Sequence, residues 1–306
     1  MARVELIPTL DHCIETAAKK EYWRSVDEYL QGKGRSEKLE EKIELLRMFL
    51  ESMDFRELRR QTEKYLLEGK GVRFIVYLEK GKPHYQLKVE PEASPFNSLA
   101  SEYDAWFERE GKLIFEIEVQ AFQQILPLLP KPWIEIGVGS GRFAQALGVK
   151  LGLDPSLQLL NLAKERGIRV FLGSGEEPPF RNASFGTAFL IVTLCFVTSP
   201  LEVLKETNRI LKSDGKAVLG MVLRDSPWGQ WYEQKKSQGH RFYKYATFYS
   251  YKEVKALLEQ AGFSIEEVIS TLFQKPSEVE HLEPPLKGFS SDAGFTIILA
   301  GKSLER

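Results

Sequence analysis

Residues 133–143 read WIEIGVGSGRF, an apolar run with one acid that leads into glycines at positions 137, 139 and 141. Glycine adopts positive φ freely and puts no Cβ between the backbone and a ligand. Three of them directly after a strand-like segment form a loop that a ligand can lie against. Two phosphate-binding readings fail on spacing. No Gly-Lys-Ser/Thr follows, which excludes a P-loop, and position 142 is Arg where a dinucleotide fingerprint needs a small residue. The next strand-like run, KLGLDPS, ends in Asp154, seventeen residues after Gly137. A carboxylate at the tip of a second strand can accept hydrogen bonds from both hydroxyls of a ribose. Glycine loop and ribose acid together imply an adenosine-containing ligand whose other end carries no phosphate. The plainer alternatives are a tight turn for the glycines and, for Asp154, a cap on the following helix with Pro155 as its first residue.

These residues need a scaffold that brings two strand ends side by side, and the rest of the chain supplies one. From residue 101 onward, helical and strand-like segments alternate. Helices around 99–109 and 113–127 precede the strand WIEIG. The helices GRFAQAL, PSLQLLNLAKERG, PLEVLKETNRILK and SYKEVKALLEQAG are interleaved with the strands KLGLD, RVFLGSG, TAFLIVTL and GKAVLGMVL, and FSIEEVISTLF and GFTIILAGK close the chain. This is the pattern of βαβ units in a doubly wound α/β sheet. The first ninety residues follow another rule. Leu39, Ile43, Leu46, Leu50 and Met53 recur at steps of four and three, the stripe of an amphipathic helix with Ser36 at its start. Helices over 15–30 and from Asp54 to Gly69 flank it, and residues 72–90 form a hairpin around a Gly-Lys-Pro turn. The stretch PEASPFNS at 91–98 is the best linker. The expected domains are 1–93, helical with a hairpin, and 94–306.

Composition narrows the function classes. The 306 residues carry 42 basic and 43 acidic side chains, so no global charge favours nucleic acid or an anionic membrane. Residues 1–93 hold 18 of each sign, so neither part is a basic module. No run approaches the roughly 20 apolar residues of a membrane span, and the N-terminus lacks the features of a signal peptide. Two distant cysteines and four scattered histidines suggest neither a disulfide framework nor a metal site. The expected setting is cytoplasmic.

The run EIGVGSGRF, followed in order by LGLDPS, GSGEEPPF and NRILKSDGKAVL, resembles the class I S-adenosylmethionine-dependent methyltransferases, in particular their type 11, small-molecule branch, which includes quinone-biosynthesis enzymes. The resemblance covers roughly residues 99–300. It implies a Rossmann-like, doubly wound seven-stranded sheet, mostly parallel with an antiparallel last strand. It also implies S-adenosyl-L-methionine as methyl donor and S-adenosyl-L-homocysteine as product. By the same resemblance Glu135 orients the amino group of the methionine moiety, and Gly137, Gly139 and Gly141 let the cofactor lie on the backbone. Asp154 holds the ribose and Pro155 lines the adenine. Ser174 stands where the family commonly has an acid, so adenine is read by Ser174 or by the backbone of Gly175 and Glu176. Thr193 and Leu194 lie beside the methionine end, and Tyr103 and Trp106 fold over the cofactor. Gly186 departs from the usual Asp before the fourth strand.

His240, in the aromatic stretch SQGHRFYKYATFYSYKE, is the candidate proton acceptor, with a structural histidine as the alternative. Tyr243, Tyr245, Phe248 and Tyr249 are candidate walls of an acceptor pocket. Ser250 and Glu253 read as a capping box, Cys195 as a small buried hydrophobe, and His281 as part of a lid or a surface loop. The function expected is methyl transfer to a small-molecule acceptor by in-line displacement. The alternative is a cofactor-binding sensor or inactive scaffold with the N-terminal domain as output. The stripe of residues 39–53 reads as packing within the N-terminal domain, with a homodimer as its other reading.

Overall fold

The computed structural model describes residues 3–8, 13–31, 36–67, 70–92, 96, 100–240 and 242–303. The chain divides into two compact units, residues 1–98 and 99–306.

In the first unit, β1 (Arg3–Leu6) is followed by helices α1 (Ile14–Leu30), α2 (Glu37–Ser52) and α3 (Phe55–Leu67), then by the hairpin β2 (Lys70–Glu79) and β3 (Lys82–Glu92). The sheet order is β1-β2-β3, antiparallel throughout. Strand β1 extends the expected hairpin to three strands, and four residues are too few to carry a readable alternation. The hairpin turns at Lys80 and Gly81, both at positive φ. Caps fall where expected: Ser36 Oγ accepts from the Leu39 amide, and Asp54 Oδ1 accepts from the amides of Arg56 and Glu57. The buried face of α2 is Leu39, Leu45, Leu46 and Phe49, rotated from the expected stripe. Helix α2 packs against α1 and against the sheet, so its apolar face is wider than one 3–4 stripe. The expected stop at Gly69 and most of the linker lie outside the described residues.

The second unit opens with α4 (Ala100–Trp106) and α5 (Lys112–Gln123) and continues as β4 (Trp133–Ile136), α6 (Arg142–Leu147), β5 (Leu151–Asp154), α7 (Leu157–Glu165), β6 (Arg169–Leu172), β7 (Phe185–Ile191), α8 (Pro200–Ile210) and β8 (Leu211–Met221). Helices α9 (Pro227–Ser237) and α10 (Tyr251–Gln260) precede β9 (Phe263–Thr271), β10 (Leu286–Lys287) and β11 (Phe295–Lys302). The sheet order is β10-β9-β11-β8-β7-β4-β5-β6. It contains the expected seven strands, with β11 antiparallel to both neighbours, plus the two-residue β10 on the edge. Successive residues along each central strand enter opposite cores: Phe189, Ile191 and Val218 one, Ala188, Leu190, Ala217 and Leu219 the other. Helices α5, α6, α7 and α9 cover the first face, α8 and α10 the second. Two boundaries differ from expectation. TAFLIVTL leaves the sheet at Ile191, and the aromatic connection after β8 contains helix α9, whose amino end Ser226 caps through the Gly229 amide. Strand order reverses between β4 and β7, which is where ligands bind in open α/β sheets.

Candidate cofactor and acceptor site

The glycine loop connects β4 to α6, and its three glycines have three different neighbours. All take positive φ, at +75° for Gly137, +52° for Gly139 and +80° for Gly141. A methyl group on Gly137 would lie 2.5 Å from Thr193 Cγ2, and one on Gly141 would lie 2.9 Å from Ala163 Cβ on α7. Those two positions are small because protein packs against them. A methyl on Gly139 would meet only Tyr103, at 3.8 Å, so this is the loop's open face.

Asp154, at the end of β5, holds that loop. Its Oδ2 accepts from the Gly139 amide at 2.9 Å, and its Oδ1 accepts from the Ser156 amide at 2.8 Å. Helix α7 is capped by Ser156 rather than by Asp154, which corrects the capping alternative, and Pro155 precedes the helix. Burial pushes Asp154 up to about 6, with the two amide hydrogen bonds acting the other way. Each oxygen keeps a lone pair for a ribose hydroxyl.

Glu135 is buried on β4, and its Oε2 has no hydrogen-bond partner among the described residues. Burial, and then the charge of Asp154, raise its pKa well above the usual carboxylate range, with the Ala144 amide opposing. A buried carboxylate oxygen without a donor is costly unless a ligand supplies one. An ammonium group beside it would do so. Thr193 bridges the strand ends from the other side, its hydroxyl within 3.0 Å of the Ile136 carbonyl and 3.1 Å of the Ile191 carbonyl. Between them sits Val192 at φ +51°, a conformation that a β-branched residue rarely adopts and that clusters at functional sites. Leu194 is buried in the short 3₁₀ turn that follows.

Ser174 and Gly175 follow β6. The carboxylate of Glu176 accepts from the Thr198 and Ser199 amides at the amino end of α8, so its backbone is what remains for a base. Gly186 is explained by the fold: a side chain there would lie 2.4 Å from the Pro130 carbonyl oxygen.

Helix α4 closes over the loop. Tyr103 is partly buried against the core, edge-on to Phe107 and Phe242 at 5.4 and 5.9 Å. Burial, then the charges of Asp154, Cys195, Glu135 and Glu118, raise its pKa. Trp106 packs against Gly111 and Phe107. The clamp that holds α4 is absent from the sequence reading. Asp104 makes a bidentate pair with Arg142 on α6, at 2.8 and 2.9 Å, and a second pair with Arg166 at 2.7 Å. Arg142 also pairs with Glu108, and Arg166 donates to the Ser140 carbonyl inside the glycine loop. Burial alone would raise Asp104, but hydrogen bonds from Arg142, Ser140 and Arg166 hold it below the usual carboxylate range.

The 240s are divided among three surroundings. His240 stacks on Tyr243 at 4.4 Å, and its Nδ1 accepts weakly from the Phe242 amide at 3.4 Å. Burial, then nearby Lys235, lower its pKa, while Glu102 opposes. Phe248 stacks on Tyr232 of α9, and the Tyr243 ring lies tilted against it at 4.3 Å. Tyr245 faces solvent and Tyr249 packs on the opposite core, so neither belongs to this wall. The capping box of Ser250 and Glu253 is present. Burial pushes the Cys195 thiol up to about 12, which leaves it an unreactive hydrophobe. His281 lies on an exposed turn whose backbone is bonded to the Gln274 amide side chain.

A glycine loop bound to the carboxylate of the next strand, beneath a helix and at a reversal of strand order, defines a class I S-adenosylmethionine-dependent methyltransferase. The chain belongs to that family: residues 134–219 match the type 11 methyltransferase domain, and residues 3–83 match a separate family. It is 38% identical, over 68% of its length and 99% of the other chain, to a Thermotoga maritima structure described as a SAM-dependent methyltransferase, possible histamine N-methyltransferase, with a TM-score of 0.64. An uncharacterised Methanocaldococcus jannaschii protein is 37% identical over 207 residues, 68% of this chain and 98% of that one. An uncharacterised Mycobacterium tuberculosis protein is 38% identical over 69% of this chain and 74% of its own.

Proposed function

We propose that this protein transfers the methyl group of S-adenosylmethionine to a small-molecule acceptor. The observation that carries the reading is the pair of buried carboxylates. Asp154 is fixed by two backbone amides beside the open face of Gly139, and Glu135 offers an oxygen that no donor among the described residues satisfies. When bound, S-adenosylmethionine supplies an electrophilic methyl: the acceptor's lone pair forms the new bond to carbon while the old bonding pair stays on sulfur. The side chains described here have four tasks. Asp154 anchors a ribose, Glu135 takes an ammonium group, and Thr193 keeps the ends of β4 and β7 together. Tyr103 and its aromatic neighbours exclude water. Holding two reactants in line in a dry site can contribute about 7–11 kcal/mol to the rate.

His240 is the proton acceptor for an acceptor atom that must lose a proton. Its lowered pKa favours the neutral imidazole, whose lone pair is on Nδ1, so the proton is taken by Nδ1 as its weak 3.4 Å bond from the Phe242 amide opens. His240→Ala is expected to slow turnover at least tenfold while S-adenosylhomocysteine affinity stays within twofold; equal turnover would return this residue to packing. The proposal as a whole is tested by titrating S-adenosylhomocysteine into the protein calorimetrically. The same protein is then incubated with S-adenosylmethionine and pooled cell metabolites, and S-adenosylhomocysteine formation is measured. Binding with turnover supports the reading, binding without turnover points to a sensor, and no binding ends it.

A further inference from the structure

Arg166 ends helix α7, where a basic side chain is usually a solvated cation that complements the last turn. This one is largely withdrawn from solvent, with 18% of its side chain exposed. Its hydrogen bonds lead away from its own helix. Nη1 donates to the Ser140 carbonyl at 2.8 Å, and Nη2 donates to Asp104 Oδ2 at 2.7 Å. One planar guanidinium therefore joins α7 to the glycine loop, 26 positions earlier, and to α4, 62 positions earlier.

Each partner is next to a residue that the cofactor reading uses. Ser140 is buried and follows Gly139, which forms the loop's open face and whose amide is held by Asp154 at 2.9 Å. Asp104 follows Tyr103, whose ring lies 3.8 Å from where a methyl on Gly139 would stand. The floor of the site and its cover are thus each adjacent in sequence to a residue that this cation binds. Arg142 does not duplicate the arrangement. It pairs with Asp104 and Glu108 and donates to the Asp104 carbonyl, so it holds α6 to α4. A guanidinium presents its nitrogens in one rigid plane, so a shift of Asp104 strains the bond to Ser140. Lysine, a point charge on a flexible stem, keeps the attraction to Asp104 without fixing both acceptors in that geometry.

We propose that Arg166 is a positioning residue for the cofactor, tying Tyr103 on the cover to Gly139 on the floor through Asp104 and Ser140, so that the two open and close as a unit. This rests on the methyltransferase reading above and adds how that site is kept shut. Arg166 acts through the two residues it binds and not by contact with the cofactor.

The first test is hydrogen exchange of the full-length protein without ligand, for wild type, Arg166→Met and Arg166→Lys. Residues 100–107 and 137–142 are expected to exchange at least tenfold faster in Arg166→Met, both by the same factor. Residues 211–221 should exchange as in wild type, which certifies that the fold persists. Arg166→Lys, which keeps the charge, should recover part of the protection. Acceleration confined to one segment, or found in neither, overturns the tie. If Arg166→Met loosens residues 211–221 as well, Arg166→Lys decides by the same criterion. The second test is calorimetric titration of S-adenosylhomocysteine. Arg166→Met is expected to cost at least tenfold in affinity in the wild-type background. It should cost less than threefold in Tyr103→Ala, because a cover without its ring has little left to position. Equal losses in the two backgrounds overturn the positioning role. If wild type itself does not bind S-adenosylhomocysteine, the methyltransferase reading falls instead. The exchange comparison then still decides the tie between α4 and the loop.

Discussion

Asp154 has two duties that a single substitution would remove together. Its oxygens hold the amides of Gly139 and Ser156, and under the proposed function the same carboxylate is the ribose acceptor. Asp154→Ala is expected to weaken S-adenosylhomocysteine binding more than a hundredfold in calorimetry. It should also lower the thermal midpoint, because each of two buried amides loses its acceptor, at about 1–3 kcal/mol apiece. The pH dependence has a definite sign. Burial lifts the folded pKa to about 6 from the ordinary 3.8, so the folded state keeps a proton that the unfolded chain has already lost. The contribution of Asp154 to stability is therefore complete below pH 3.8 and is lost as pH rises through about 6. Ribose binding runs the other way and should weaken in titrations below pH 6, where the protonated carboxyl has lost an acceptor site. Asp154 was legible in the sequence because its chemistry follows from its place at a strand tip. The unsatisfied oxygen of Glu135 was not, because it depends on which donors the fold brings to the end of β4.

Helix α4 is two turns long and is held by charge as well as by the packing of Tyr103 and Trp106 on the core. Asp104 is 14% exposed at its side chain and binds two arginines, one on α6 and one at the end of α7. Removing one partner of a buried pair strands the others, at about 3–5 kcal/mol. Asp104→Ala is expected to destabilise the protein by about 3 kcal/mol in denaturant melts. It should also speed S-adenosylhomocysteine release at least tenfold in stopped-flow displacement, because Tyr103 rides on the same helix. Unchanged release would reduce the clamp to a purely structural brace. Arg142 shows why this was hidden. In the sequence it is only the residue that breaks a dinucleotide fingerprint, and its partner lies 38 positions earlier. The alternation of helices and strands was readable because buried parallel strands are short apolar runs of fixed length. Helix α9 was not, since WGQWYEQ places aromatic residues at spacings that suit a loop as well as a helix. Its register becomes clear once Trp228 is seen donating to the Gln274 carbonyl.

The whole molecule consists of two units with separate cores, Leu45, Leu46, Phe49 and Phe74 in one and the two faces of the large sheet in the other. The relatives support separate treatment. The Methanocaldococcus jannaschii protein aligns over 98% of its own length to only 68% of this chain, about the length of the second unit. Leu46→Ala is expected to cost the first unit about 2–5 kcal/mol, read by hydrogen exchange in residues 36–67. S-adenosylhomocysteine affinity should stay within twofold; a larger loss would make the first unit part of the binding machinery. The role of this unit is the least legible part of the sequence, because packing accounts for its described helices and sheet. The placement of Tyr103 carries a further consequence, in time rather than in space. A methyl on Gly139 would lie 3.8 Å from the Tyr103 ring, so α4 stands over the open face of the loop. Under the proposed function a nucleoside lying there is covered by that ring and is expected to enter first and leave last. S-adenosylhomocysteine should then compete against S-adenosylmethionine alone and inhibit noncompetitively against the acceptor.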